Sequence, residues 1–169
     1  MDILTIKNEF LFFAQKINVP EKYWPEFGNS KFGSGPVVEL GPHNQLLYIH
    51  YDRGEEVEKE YAVDLDDLMY RIFNYITFAM SSDYESKHRK ENEDSRRQKI
   101  SIQEKLLGEL SQVWKDRCHR ENLYILKNYP FDDLSQKRIN YSIELKNTGM
   151  SSQDAWANAV KKFPLPINI

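Results

Sequence analysis

Apolar residues recur at intervals of three and four through the first seventeen positions. Ile3, Ile6, Phe10, Phe13 and Ile17 form one stripe, which predicts a helix over residues 3–17, ended by Asn18 and Pro20. The next run, "PEKYWPEFGNSKFGSGP", is dense in Gly, Pro, Asn and Ser and reads as a loop. Tyr23, Trp24 and Phe27 are expected to pin it to the core, within an aromatic loop Tyr23–Phe32. From residue 37 to 63 the period changes to two. "VVEL", "LLYIHYD" and "EVEKEYAV", separated by the turns "GPHNQ" and "RGE", predict a three-stranded antiparallel meander. Leu47, Ile49 and Tyr51 would share one face of the middle strand, and Val57, Tyr61 and Val63 one face of the third. The opposite side would be wet and carry Tyr48, His50 and Asp52 beside Glu56, Glu58 and Glu60.

Helical periodicity then takes over. Asp64 is the expected N-cap of a helix over residues 65–80, whose apolar set includes Leu65, Leu68, Met69, Ile72, Phe73, Ile76, Ala79 and Met80. Tyr70 and Phe78 add apolar surface on other faces, so this helix should be central. Ser82 and Glu85 have the spacing of a capping box and predict a new helix over residues 83–107. Gly108 and Ser111 mark a stop and a fresh cap for a helix over 112–128, with Trp114, Cys118, Ile125 and Tyr129 on one side. After "NYPFDD", two short helices within 133–162 are joined by "NTGMS", where Gly149 suits a C-terminal cap and Ser151 with Asp154 another capping box. The expected fold is therefore α+β: an N-terminal helix, a three-stranded antiparallel β-meander, then a mainly helical C-terminal two-thirds packed on it. We expect one domain over residues 1–169.

Composition narrows the function. A chain of 169 residues with 40% hydrophobic and 29% charged residues can build a core and is not disordered. Its formal charge of -3 gives no general attraction to nucleic acid or anionic membrane. No apolar run approaches the ~20 residues of a membrane span. The start, "MDILTIKNEF", lacks the basic and apolar regions of a signal peptide, so a cytoplasmic protein is expected. Cys118 is the single cysteine, which leaves no internal disulfide and fits a reducing compartment.

The densest candidate chemistry lies in "YESKHRKENEDSRR", residues 84–97. Glu85 and His88 match half of a di-iron helix signature, and Asp116 with His119 could pose as the other half. With a chain reversal near residues 108–111, the two halves lie ~28 Å apart along the helices, so no metal or other cofactor is expected. Cys118 and His119 are adjacent on a helix and point about 100° apart, which excludes a thiolate pair. The motifs of nucleotide-binding loops, serine hydrolases and zinc peptidases do not occur. Lys87, Arg89, Lys90, Arg96, Arg97 and Lys99 are interleaved with Glu85, Glu91, Glu93 and Asp94, so little net field remains for nucleic acid. The stretch reads as an ion-paired helix, with Glu85–Arg89 and Glu93–Arg97 at i,i+4. Tyr84, Glu85, His88, Arg89, Asp94 and Arg97 would form a structural polar seam against neighbouring elements.

Six pieces, in order, resemble one family: "WPEFGNSKFG", "YIHYDRGEE", "DLDDLMYRIFNYITFAMSSDYESKHR", "EDSRRQKI", "EKLLGELSQVW" and "YPFDD". Over about residues 24–133 the chain is similar to immunity protein sixty-three of bacterial polymorphic-toxin systems. It departs from that pattern at Arg71, where an aromatic is usual, and at Ser86, where leucine is usual. The resemblance implies a cytosolic, non-catalytic antidote that binds a cognate toxin domain and blocks it.

The residues themselves point the same way. "DRGEEVEKEYAVDLDD" holds eight acids against two bases, and Tyr48 and His50 are expected beside Glu56, Glu58 and Glu60 as a partner-binding face with aromatic anchors. An ordinary solvated strand face is the other reading of that stretch. A regulatory or structural interaction protein without catalysis remains the alternative function, and an enzyme of unfamiliar design the third.

Overall fold

The computed structural model describes residues 1–28 and 34–167, so Phe32 of the expected aromatic loop lies outside the described residues. Helix α1 (Ile3–Lys16) begins at Asp2, whose carboxylate accepts the Thr5 N–H at 2.8 Å. It buries Ile6 and Phe10 of the predicted stripe, with Ala14 beside them. The following segment is tied down as expected. Tyr23, Trp24 and Phe27 pack on the core, the Trp24 indole donates to the Val19 carbonyl at 3.1 Å, and Tyr23 and Lys22 both bond Asp83.

Among the described residues the sheet has four strands rather than three. Strand β1 (Glu26–Phe27) pairs parallel to β2 (Gly35–Leu40); β3 (Leu46–Asp52) and β4 (Glu55–Ala62) continue antiparallel, in the order β1-β2-β3-β4. The extra strand was hidden because two residues carry no periodicity. Arg53 and Gly54 both have positive φ, the geometry that closes a two-residue hairpin with the twist of its strands. The rest is helical, so the α+β class holds.

Helix α2 (Leu65–Lys87) is the centre of the core. Asp64 caps it by accepting the Asp67 N–H at 2.8 Å, and Leu68, Met69, Ile72, Phe73 and Ile76 are all buried. Phe73 stacks on Phe10 and on Trp114, joining α1, α2 and the N-terminal half of α4 (Gln112–Asn128).

The helix predicted to end near Met80 runs on through residues 81–87, because Ser82 does not cap: its hydroxyl is buried without a hydrogen-bond partner among the described residues. Ser81 and Ser86 turn back to the carbonyls of Phe78 and Asp83, at 2.8 and 2.9 Å, and the chain stays helical. Helix α3 therefore starts at Ser95 and ends at Leu110, after a turn in which Asn92 takes a positive φ and Asp94 supplies the cap. The apolar stripe expected along α4 also divides. Trp114 and Cys118 are buried, whereas Ile125 and Tyr129 are exposed, because only the first half of the helix reaches the core.

Helices α5 (Ser135–Asn147) and α6 (Ser152–Lys162) pack mainly on each other. Gly149, at φ 94°, makes the left-handed turn between them, and Ser151 caps α6 by accepting the Asp154 N–H at 3.1 Å. No helix among the described residues is long and apolar enough to cross a membrane.

Candidate functional site

A groove of about 680 Å³ runs between the sheet and the helices. Strands β3 and β4 supply His50, Glu58 and Glu60. Helix α2 supplies Arg71, Asn74, Tyr75 and Phe78, and α3 and α4 supply Lys99, Gln103, Arg117, Glu121 and Ile125. Tyr48, Tyr70 and Cys118 line it from below, largely buried.

The groove reverses the expected sides of the sheet. Tyr48, with Val38 and Leu46, belongs to the core shared with α1 and α2, and is only 2% exposed. It is not a surface anchor. Val57 and Tyr61, expected on the dry side, are 63% and 58% exposed on the outer face. Leu47 and Ile49 also lie on that outer face, yet they are buried, flanked across the central strand by Glu39 and Tyr61 and by Val37 and Lys59. Glu58 and Glu60 are cross-strand partners of His50 and Tyr48 and face the groove with them. Glu56 does not join them. An irregularity in register after His50 sets it opposite Tyr51, and it pairs with Lys59 at 2.8 Å on the outer face.

One wall is locked by an ion-pair network. Arg71 bonds Glu60 and Asp67, the latter at 3.0 Å. Arg117 bonds Asp67 at 2.6 Å and Glu121 at 3.2 Å, and lies over the Tyr70 ring. The Tyr70 hydroxyl donates to Glu121 at 2.6 Å. Gln103 donates to the Asn74 side chain at 2.8 Å and so ties α3 to α2. These side chains hold one another in place before any partner arrives. Arg71, Tyr75, Phe78, Arg117 and Glu121 were not singled out from the sequence as site residues. The available signal was aromatic: Phe78 and Tyr75 fall off the apolar stripe of α2, on a face with no core to fill.

The groove's titratable groups are tuned by burial. His50 is held below the usual histidine pKa by its half-buried position, with Glu58 opposing the shift. Burial pushes the Cys118 thiol up to about 12, with Glu104 and Glu121 adding to the effect. A thiol in that state is a poor nucleophile. Labelling of Cys118 by a disulfide reagent near pH 8 should be at least about a hundredfold slower in the folded protein than in denaturant. Equal rates, measured by absorbance, would show that the thiol is open.

The residues of the expected polar seam occupy a helix end, a turn and a helix start, not one helix. Glu85 is 1% exposed and bonds Arg89 at 2.8 Å, with Lys99 at 3.8 Å. Its carboxyl is held below the ordinary range, first by the Arg89 hydrogen bond, against the opposing effect of burial. His88 caps the end of α2, donating through Nδ1 to the Tyr84 carbonyl at 2.9 Å while its ring stacks on the Tyr84 ring. The expected Glu93–Arg97 pair is replaced: Arg97 bonds Asp133 at 2.9 Å and lies over Phe131, and Glu93 meets Lys90. Asp94 caps α3. His119 donates to Glu104 and Asp116 accepts from Gln112, so the four residues weighed as metal ligands have separate partners. No group of three or more metal-binding side chains gathers among the described residues.

Comparison with known proteins matches no curated protein and no solved structure. The model of one family does match. It covers residues 43–123, a little under half of the chain, which spans β3, β4, α2, α3 and most of α4, and over that stretch this protein resembles the family Immunity protein 63.

Proposed function

We propose that this chain is an immunity protein that binds a cognate bacterial toxin domain in the cytosol and neutralises it without catalysis, cofactor or metal. One observation carries the reading: the stretch that resembles Immunity protein 63 contains every residue named above as lining the groove except Ile125. A binding protein of this kind needs a concave, rigid surface with aromatic anchors and fixed charges. The groove offers exposed Phe78 and Tyr75 beside the Arg71–Asp67–Arg117–Glu121 network. Neutralisation follows if the toxin's active site or substrate cleft is covered when the groove is filled.

The test is co-expression with the toxin domain encoded beside this chain. Growth should be restored, and the two chains should purify together at equal stoichiometry. Phe78 is 53% exposed, so Phe78→Asp should leave folding intact and place an unpaired charge in the interface. Dissociation should then quicken by roughly a hundredfold or more. Co-purification without protection would favour a regulatory or structural partner role, and an unchanged complex for Phe78→Asp would move the interface away from the groove.

A further inference from the structure

Resting on that reading, we infer that the strand-side mouth of the groove, at Glu58, His50 and Tyr75, is a socket for one basic side chain of the toxin, an arginine or a lysine. Every cation lining the groove is already committed. Arg71 serves Glu60 and Asp67, Arg117 serves Asp67 and Glu121, Arg96 serves Asp94, and Lys99 reaches Glu85. Glu58 is the groove carboxylate left over: it is exposed and has no ion-pair partner among the described residues. The groove therefore presents one uncompensated negative charge at a defined point.

The surroundings of that charge suit a cation with an apolar stem. The His50 ring meets the rings of Tyr48 and Tyr75 edge-on, both at 4.9 Å between centroids. Phe78 stands one turn further along α2, and both it and Tyr75 are exposed. Aromatic faces attract a cation and cover its methylenes. His50, held neutral near pH 7 by its half-burial, keeps one ring nitrogen as an acceptor.

A second observation points to a missing ligand. The Tyr48 hydroxyl is buried with no hydrogen-bond partner among the described residues, and Tyr48 lines the groove beside the His50 ring. Buried hydroxyls are rarely left unpaired. A head group seated beside the touching His50 and Tyr75 rings, in the groove that Tyr48 lines, would supply the missing donor. One carboxylate and one imidazole are too few to hold a hard metal cation. An anionic partner would meet Glu58 unscreened.

The socket can be tested with N-acetyl-arginine methylamide as the probe, titrated into the ¹⁵N-labelled chain and followed by amide shifts. Saturable shifts should centre on residues 48–58 and 75–78, and the glutamate analogue should produce none there. Glu58→Gln should weaken the probe by roughly three- to fivefold, the scale of an exposed ion pair. Tyr48→Phe should weaken it with no loss of folding stability, since the hydroxyl has no partner to lose. In the toxin complex, where the pair is sealed from water, Glu58→Gln should cost about tenfold or more in affinity. Scattered shifts, equal binding of the acidic analogue, or a Glu58→Gln variant that binds the probe like the parent would overturn the socket. A toxin complex indifferent to Glu58→Gln would overturn the socket while leaving the immunity reading intact. Failure of the parent to protect cells would instead strike the immunity reading, and the probe titration would still decide whether the socket takes a cation.

Discussion

An Arg138→Ala variant loses the C-terminal helix pair first: hydrogen-exchange protection over residues 135–162 collapses while α2 keeps its own. Arg138 is almost completely buried and uses its guanidinium as a hub. It meets both oxygens of Asp132, at 2.7 and 3.0 Å, and the carbonyls of Phe163 and Pro164, both at 2.8 Å. The apolar residues buried in α6 are only Ala155 and Ala159, which let the helices approach closely but remove little apolar surface from water. The arginine is thus the main tie between α5 and the segment that follows α6. Removing it leaves a carboxylate without its cation and two carbonyls without donors, at a cost of about 3–5 kcal/mol. Lysine should restore only part of this, because one ammonium cannot reproduce a planar fork. Uniform loss of protection through α2, or no loss at all, would show that the pair is not held in this way.

What the sequence disclosed follows from what periodicity can carry. A long stripe such as Leu68–Ile72–Ile76 leaves one way to face a core, and Ile72 and Ile76 are fully buried as that stripe requires. The side of the sheet was not legible for a physical reason. In β3 the residues Leu46, Leu47, Tyr48 and Ile49 are all buried, so alternation gives no preference between faces. In β4 the acids do not mark one wet side: Glu58 and Glu60 face a groove lined by Arg71, whereas Glu56 turns to the outer face. Exposed Val57 and Tyr61 then fall outward. The place of Glu56 depended on a one-residue irregularity, which no pattern of polarity marks.

The stretch 84–97 misled in another way. Its charges alternate at helical spacing, and both Ser82 and Glu85 fit a cap. Glu85 is nevertheless buried, covered by the exposed guanidinium of Arg89 and approached by Lys99 from α3. Tertiary neighbours, absent from a local window, decided which of two acceptable local structures formed. The groove itself could not be read as a site because its walls come from five elements. Its clue was the surplus of aromatic residues off the α2 stripe, at Tyr75 and Phe78.

Replacing Asp94 by asparagine should cost about 2–3 kcal/mol and remove part of the acid sensitivity of the fold. The Asp94 carboxylate accepts the Arg96 N–H at 2.9 Å and the Asp132 N–H at 2.8 Å, and holds the Arg96 guanidinium at 2.6 Å. Arg96 in turn donates to the carbonyls of Tyr129 and Pro130, both at 2.8 Å. This one carboxylate therefore starts α3 and fastens the segment that follows α4. Asparagine keeps the size, but its amide offers a single acceptor oxygen and no charge. Burial works to raise the Asp94 pKa, but the hydrogen bonds from Arg96 and the Asp132 N–H outweigh it and bring the group down to about 2. A carboxyl depressed on folding stabilises fully above its unfolded pKa, near 4, and the benefit disappears as pH falls through the folded value. The gap in unfolding free energy between parent and Asp94→Asn should therefore be constant from about pH 7 to 5 and close between about pH 4 and 2. Urea unfolding at a series of pH values measures it. A gap that persists undiminished at pH 2, or one already closed at pH 5, would mean that the ionised carboxylate is not what holds α3 to the chain beyond α4.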